Sequence, residues 1–196
     1  MFIEPHLGGK SEKRGWIEVV CGCMFSGKTE ELIRRLNRAI IGKQRVEIFK
    51  PVTDTRYHHQ SIVSHNEKAI RSTPVNFASD ILLLAGNCDV VGIDEAQFFD
   101  AAIVEVCNSL ANSGKRVIVA GLDMDYEGNP FGPMPDLLAV AEFVTKLHAV
   151  CAQTGELASF SYRLSEGNTQ VMLGEKREYE ARSRGAFVEG MKDRKK

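Results

Sequence analysis

No apolar stretch in this 196-residue chain approaches membrane-spanning length, and neither sign of charge is in excess. Lys and Arg number 25 against 26 Asp and Glu, a net charge of −1. The first absence excludes a helical membrane span. The second removes any electrostatic case for wrapping nucleic acid or lying on an anionic membrane, so neither is an expected partner. The start, Met-Phe-Ile-Glu-Pro-His-Leu-Gly-Gly-Lys, lacks a basic-then-apolar secretory pattern. A soluble cytoplasmic protein is the expectation. The cysteines, Cys21, Cys23, Cys88, Cys107 and Cys151, are odd in number and never spaced C-x-x-C. That argues against a disulfide framework and against a tetrahedral zinc site. No repeat or low-complexity tract is present, while an apolar fraction of 43% is ordinary for a packed domain.

What is present begins at residue 22. Gly22-Cys23-Met24-Phe25-Ser26-Gly27-Lys28-Thr29 completes the pattern G-x-x-x-x-G-K-[ST]. It follows the apolar run Trp16–Cys21 and opens a segment with helical spacing. Glycines let consecutive N–H groups converge on one point, and the helix adds its unpaired N-terminal donors. Lys28 is then placed to bridge β- and γ-phosphates, and the Thr29 hydroxyl to ligate Mg²⁺. Nucleoside-triphosphate binding is the reading.

Strand and helix patterns alternate from there. A helix over about Lys28–Ile41 puts Leu32, Leu36 and Ile40 on one stripe with Ile33 beside it, and Arg34, Arg35 and Arg38 outside. Strands are expected at Val46–Phe49, Cys88–Ile93 and Val117–Leu122, and helices at Ala78–Gly86 and Ala101–Ser113. Residues 51–76 read as a long loop with room for one short strand. Such a βαβ rhythm implies a mostly parallel sheet covered by helices. After about residue 143 the pattern becomes strand-like, with runs at Phe143–Cys151 and Leu157–Leu164 and a short one at Val171–Gly174. The organisation expected is a flexible leader over 1–14, a nucleotide-binding α/β domain over 15–142, a small β-rich unit over 143–188 and a frayed charged tail over 189–196.

A phosphate loop needs an acid on a neighbouring strand to complete the Mg²⁺ shell. Asp94 ends the apolar run Cys88–Ile93, where ligands of an open parallel sheet gather. Glu95 follows it and can take a proton from an attacking oxygen. These residues alone leave open whether that oxygen belongs to water, as in an ATPase, or to a hydroxyl, as in a kinase.

Five motifs occur in order: Gly22–Thr29, Asp54-Thr-Arg56-Tyr57, Ile93-Asp94-Glu95-Ala96-Gln97-Phe98-Phe99, Pro130-Phe131-Gly132 and Lys146-Leu-His-Ala-Val-Cys151. Together they resemble the cytosolic-type (type II) thymidine kinases over about residues 15–187. The resemblance implies a P-loop, RecA-like fold with a small C-terminal β-rich lasso subdomain. It implies ATP- and Mg²⁺-dependent phosphorylation of the 5′-hydroxyl of thymidine or deoxyuridine. Glu95 matches the general base. Lys28, Thr29 and Asp94 match the nucleotide and Mg²⁺ residues, with the loop residues 22–29, Ala96 and Gln97 around the cofactor. Arg56 matches a phosphate-facing arginine. Met24, Phe98, Leu122, Tyr126, Phe131, Ser161 and Tyr179 match the surroundings of the base. Backbone groups of a lasso over about 163–179 would bond its edge. A homotetramer inhibited by thymidine triphosphate is implied too.

There is one departure. Relatives with two C-x-x-C pairs bind zinc at the base of the lasso; here Cys151 remains, while Thr154, Ser183 and Ala186 occupy the other positions. One thiolate cannot make a structural tetrahedral site, so no structural zinc is expected. His58, His59 and His65 have no metal-binding spacing. A nucleic-acid-stimulated ATPase of recombination type is the alternative reading, opposed by the short, neutral chain without a basic aromatic stripe. A nucleotide-binding regulator without catalysis is opposed by Lys28, Asp94 and Glu95 standing intact.

Overall fold

A computed structural model describes residues 15–52, 61–62, 70–165 and 178–194. The buried apolar runs lie side by side in it. β1 (Trp16–Gly22), β2 (Val46–Pro51), β3 (Ser61–Ile62), β4 (Ile70–Arg71), β5 (Thr73–Val75), β6 (Val90–Ile93), β7 (Arg116–Gly121) and β8 (Phe143–Leu147) precede four short strands: β9 (Ala149–Val150), β10 (Leu157–Ala158), β11 (Phe160–Arg163) and β12 (Tyr179–Arg182). Six of them form one sheet in the order β5-β2-β6-β7-β1-β8, every neighbouring pair parallel. Parallel strands need crossovers, and helices provide them. α1 (Lys28–Ile41) covers one face, packing Leu32, Ile33 and Leu36 on Val20, Ile48 and Ile118. α2 (Asp80–Leu84), α3 (Ala102–Asn112) and α4 (Met134–Val140) cover the other, on Ile17, Val19, Val91, Ile93, Val117 and Val119. The expected α/β class and mostly parallel sheet are what the chain forms. The pairs β9–β10 and β11–β12 are antiparallel, and α5 (Arg184–Asp193) packs on the second. Among the described residues no helix is long and apolar enough to cross a membrane.

Several expectations are corrected. Arg35 does not face solvent; it is 0% exposed. Its guanidinium donates to Glu18 Oε2 at 2.8 Å, Glu31 Oε1 at 2.8 Å and Thr145 Oγ1 at 2.9 Å. The reason is Glu18, an acid inside a buried strand, which Arg116 also binds at 2.6 Å. A charge buried without a counter-charge is costly, so the helix turns a cation inward. Ile40, placed on the core stripe, is 46% exposed; Ala39 takes the inward position. The helix expected at Ala78–Gly86 is shorter, Asp80–Leu84. α4 was not anticipated. The strand expected over Phe143–Cys151 breaks at His148, and its first half joins the main sheet beside β1 instead of the C-terminal unit. Residues 189–193, expected to fray, belong to α5, whose Phe187 stacks on Phe160 with ring centroids 4.5 Å apart. The leader over 1–14, the strand at Val171–Gly174 and His58, His59 and His65 lie outside the described residues.

Arg35→Ala is expected to lower the unfolding free energy by about 3 kcal/mol, because it strands part of the Glu18 charge. Arg34→Ala, one residue earlier and exposed, should cost under about 1 kcal/mol. Urea unfolding midpoints of the two variants measure the difference.

Candidate active site

The phosphate loop leaves β1 at Gly22 and enters α1 through Gly27, whose φ of 85° is left-handed. At Gly22 a Cβ would lie 2.3 Å from the Leu147 carbonyl oxygen, so only glycine lets β8 run so close. No side chain caps α1, which leaves its first N–H groups for a ligand. Inside the loop, Ser26 Oγ and Lys28 Nζ each donate to the Cys23 carbonyl at 2.8 Å. Met24 N donates to Ser161 Oγ at 3.0 Å, which ties the loop to β11. Burial pushes the Lys28 ammonium below its ordinary value, while Glu95, Asp94 and Asp123 act in the opposite sense. The Cys21 thiol is pushed up to about 11 and the Cys23 thiol is also raised, both chiefly by burial, so neither is a thiolate at neutral pH.

β6 delivers the acids. Asp94 follows its last residue, and Thr29 Oγ1 donates to Asp94 Oδ2 at 3.4 Å. The hydroxyl and carboxylate that a nucleotide-bound Mg²⁺ requires are therefore adjacent. No group of three or more His, Cys, Asp or Glu able to hold a metal occurs among the described residues. These two oxygens fit a cation that brings phosphate and water ligands with it. Glu95 has a φ of 52°, a left-handed conformation costing a non-glycine residue about 1–3 kcal/mol. Gln97 Nε2 donates to its Oε2 at 2.5 Å. At Gly132, of Pro130-Phe131-Gly132, a Cβ would lie 2.3 Å from the Gln97 carbonyl oxygen, so this motif is the surface on which the acidic turn rests.

Residues expected around a base are also gathered. Phe98 and Phe131 meet edge to face at 5.6 Å. The Arg163 guanidinium covers the Tyr126 ring at 4.9 Å, and Arg163 pairs with Tyr179 across β11 and β12. Ser161 and Tyr179 are buried, while Met24, Leu122 and Tyr126 are half-buried. Arg56 and most of the segment 163–179 lie outside the described residues. Sequence reasoning missed Asp123, whose Oδ2 binds Lys146 at 2.6 Å and whose Oδ1 is buried without a hydrogen-bond partner among the described residues. The signal was available: Asp123 closes the apolar run Val117–Leu122 as Asp94 closes Cys88–Ile93. Sequence reasoning also missed Arg163, fully buried beside Tyr126, for which the strand pattern carries no signal.

The positions of Cys151, Thr154, Ser183 and Ala186 do converge. Cys151 and Ala186 share one apolar cluster, and Thr154 Oγ1 lies 3.5 Å from Ser183 Oγ. One sulfur, two neutral hydroxyls and a methyl do not fit structural zinc. Burial alone would raise the Cys151 thiol; hydrogen bonds from Thr154 Oγ1 and from the amides of Ser183, Thr154 and Gln153 reverse this and bring it down to about 6.

A family model described as thymidine kinase matches residues 15–187. A thymidine kinase of Bacteroides thetaiotaomicron is 56% identical, with 96% of this chain and 94% of that one covered. One from Rhodothermus sp. is 59% identical, covering 95% and 88% of the two chains. One from Porphyromonas gingivalis is 61% identical, covering 86% and 83%.

Two measurements check the Cys151 corner. A thiol held at about 6, against an ordinary 9.0, contributes stability that is complete above 9.0 and lost as the pH falls through about 6. The stability of the chain relative to Cys151→Ala should therefore grow from pH 6 upward; an unchanging difference would contradict the thiolate. Elemental analysis should find no stoichiometric zinc, and about one zinc per chain would refute the misfit.

Proposed function

The chain belongs to the thymidine kinase family, phosphotransferases acting on thymidine, and from that premise we propose that it moves the γ-phosphoryl group of ATP to the 5′-hydroxyl of thymidine or deoxyuridine, with Glu95 as general base. The observation that carries the reading is the meeting of Thr29 Oγ1 and Asp94 Oδ2 at 3.4 Å, one residue before Glu95. In this reading the amides of Gly22–Thr29 and the Lys28 ammonium hold the β- and γ-phosphates. Mg²⁺, seated through phosphate and water by Thr29 and Asp94, would neutralise charge on the transferring group. Cys23, Met24, Phe25, Ser26, Gly27, Ala96 and Gln97 lie around the cofactor, and Arg56 supplies a guanidinium toward the phosphates.

Met24, Phe98, Leu122, Tyr126, Phe131, Ser161 and Tyr179 enclose the pyrimidine. The 5′-oxygen attacks the γ-phosphorus as the bond to the β–γ bridging oxygen breaks. ADP leaves, and the hydroxyl proton passes to the Glu95 carboxylate. Phosphoryl transfer asks little covalent help of the protein, so the base mainly orients the hydroxyl and accepts its proton late.

A cytoplasmic homotetramer completes the proposal. Its support is membership of the thymidine kinase family, whose resemblance implies that assembly.

Glu95→Gln should lower kcat by about 100- to 10,000-fold while ATP binding, read by calorimetry, is retained. Near-full activity of that variant would remove Glu95 from the mechanism. Light scattering should give four times the chain mass of 21.7 kDa; a monomer would overturn the tetramer.

A further inference from the structure

We propose that Gln97 is a positioning residue that fixes the Glu95 carboxylate against the end of β7; the proposal rests on the reading of Glu95 as proton acceptor. Gln97 lies in the short 3-10 turn Ala96–Phe98 and is 3% exposed. Both ends of its amide are used. Nε2 donates to Glu95 Oε2 at 2.5 Å, and Oε1 accepts from Leu122 N at 2.9 Å. A backbone N–H can only donate, so it dictates which end of the amide faces β7, and the NH₂ group must then face the carboxylate.

The socket is built to fit. A Cβ at Gly121 would lie 2.9 Å from Gln97 Oε1, and one at Gly132 would lie 2.3 Å from the Gln97 carbonyl oxygen. Only glycine at position 121 leaves room for the Gln97 amide, and only glycine at position 132 for its main-chain carbonyl. Leu122 is also among the residues expected to line the base. One amide therefore sets the distance between the proton acceptor and the strand end that carries nucleoside-lining residues. Glu95 itself is half-buried and on a left-handed backbone, so its rotamer is not set by dense packing. A charge-assisted hydrogen bond from a buried donor supplies that restraint.

The test is a double-mutant cycle on the full chain. Gln97→Met keeps the length of the side chain and removes both hydrogen bonds. Its kcat should fall about 10- to 100-fold, because misplacing a reacting group costs rate. In the Glu95→Gln background the same substitution should change kcat hardly at all, since its effect passes through the carboxylate. Should Gln97→Met not fold, as judged by its melting curve, Gln97→Glu takes its place. That variant keeps the acceptor for Leu122 N but, ionised, offers Glu95 no donor, and at alkaline pH its kcat should fall in the same range. Wild-type kcat in the variant that folds, or equal losses in both backgrounds, overturns the proposal. Full activity of Glu95→Gln alone sinks the reading of the base, and this inference with it. A slow Glu95→Gln beside a fast Gln97→Met sinks only the inference.

Discussion

β1, β6 and β7 run parallel and end within three residues of one another, and this alignment is the constraint on which the site depends. Register fixes it: Val19 sits beside Val119, which sits beside Ile93. The phosphate loop therefore starts three residues beyond that row at Gly22, while Asp94 stands one residue beyond it. A slip of two residues in β6 would keep its apolar faces inward and carry the acids about 7 Å from the loop. Hydrophobic alternation alone could not prevent it. The turns that follow the strands resist it. Gly132 admits the Gln97 carbonyl where a methyl group would collide, and Gly22 admits the Leu147 carbonyl. Close backbone approach at these two points demands glycine, and a slipped strand would lose the fit.

Charge inside the fold is handled in two ways. Toward the start of the sheet, Glu18 is fully enclosed and answered by Arg35 and Arg116, with Trp16 Nε1 donating at 2.7 Å as well. Every oxygen there is spoken for, and the cluster is inert. At the carboxyl end, Lys28 is drawn below its ordinary value by burial, and the acids around it act in the other direction. Its ammonium rests on a neutral carbonyl, that of Cys23. A cation bound to a carbonyl can exchange that contact for a phosphate at small cost, whereas one locked to a carboxylate pays the loss of an ion pair. The difference between the two clusters is the difference between a structural charge and an available one.

The phosphate loop, the strand–helix alternation and Asp94 were legible because each is a local pattern. The loop is eight consecutive residues, and a buried strand announces itself in a run of four to seven. Arg35 was not legible. Its position on α1 reads as outward, and only the pairing of Glu18, 17 residues earlier, and Thr145, 110 residues later, turns it inward. The membership of Phe143–Leu147 in the main sheet failed for the same reason, since its alternating pattern suits an edge strand of either a parallel or an antiparallel sheet. α5 was hidden by charge: Glu189, Lys192, Asp193 and Arg194 look like a solvated end, while the aromatic contact that anchors the helix comes from Phe187 near its start. Around the site, residue identities were readable, but the double use of Gln97 was not, because hydrogen-bond partners depend on where two strand ends meet.

The corner at Cys151 holds one sulfur where a structural zinc would need a full tetrahedral ligand set. Four thiolates at one point are tolerable only around a dication, which cancels their repulsion. With three of the sulfurs replaced by Thr154, Ser183 and Ala186, a metal loses its ligands and the remaining sulfur loses its cation. Burial would then protonate it, as it does elsewhere in this chain: the enclosed Cys107 thiol is pushed up to about 12. Cys151 is covered as well, yet its thiol is drawn down to about 6, because the hydrogen bonding of Thr154 and of the Ser183, Thr154 and Gln153 amides outweighs burial. Those amides belong to the turns at Gln153–Thr154 and Ser183, the two segments that the metal would otherwise join. The hydrogen bonds thus make the same connection between β9 and the start of α5, with the sulfur as the common acceptor. A thiolate, being the stronger acceptor, makes that connection tighter than a thiol would.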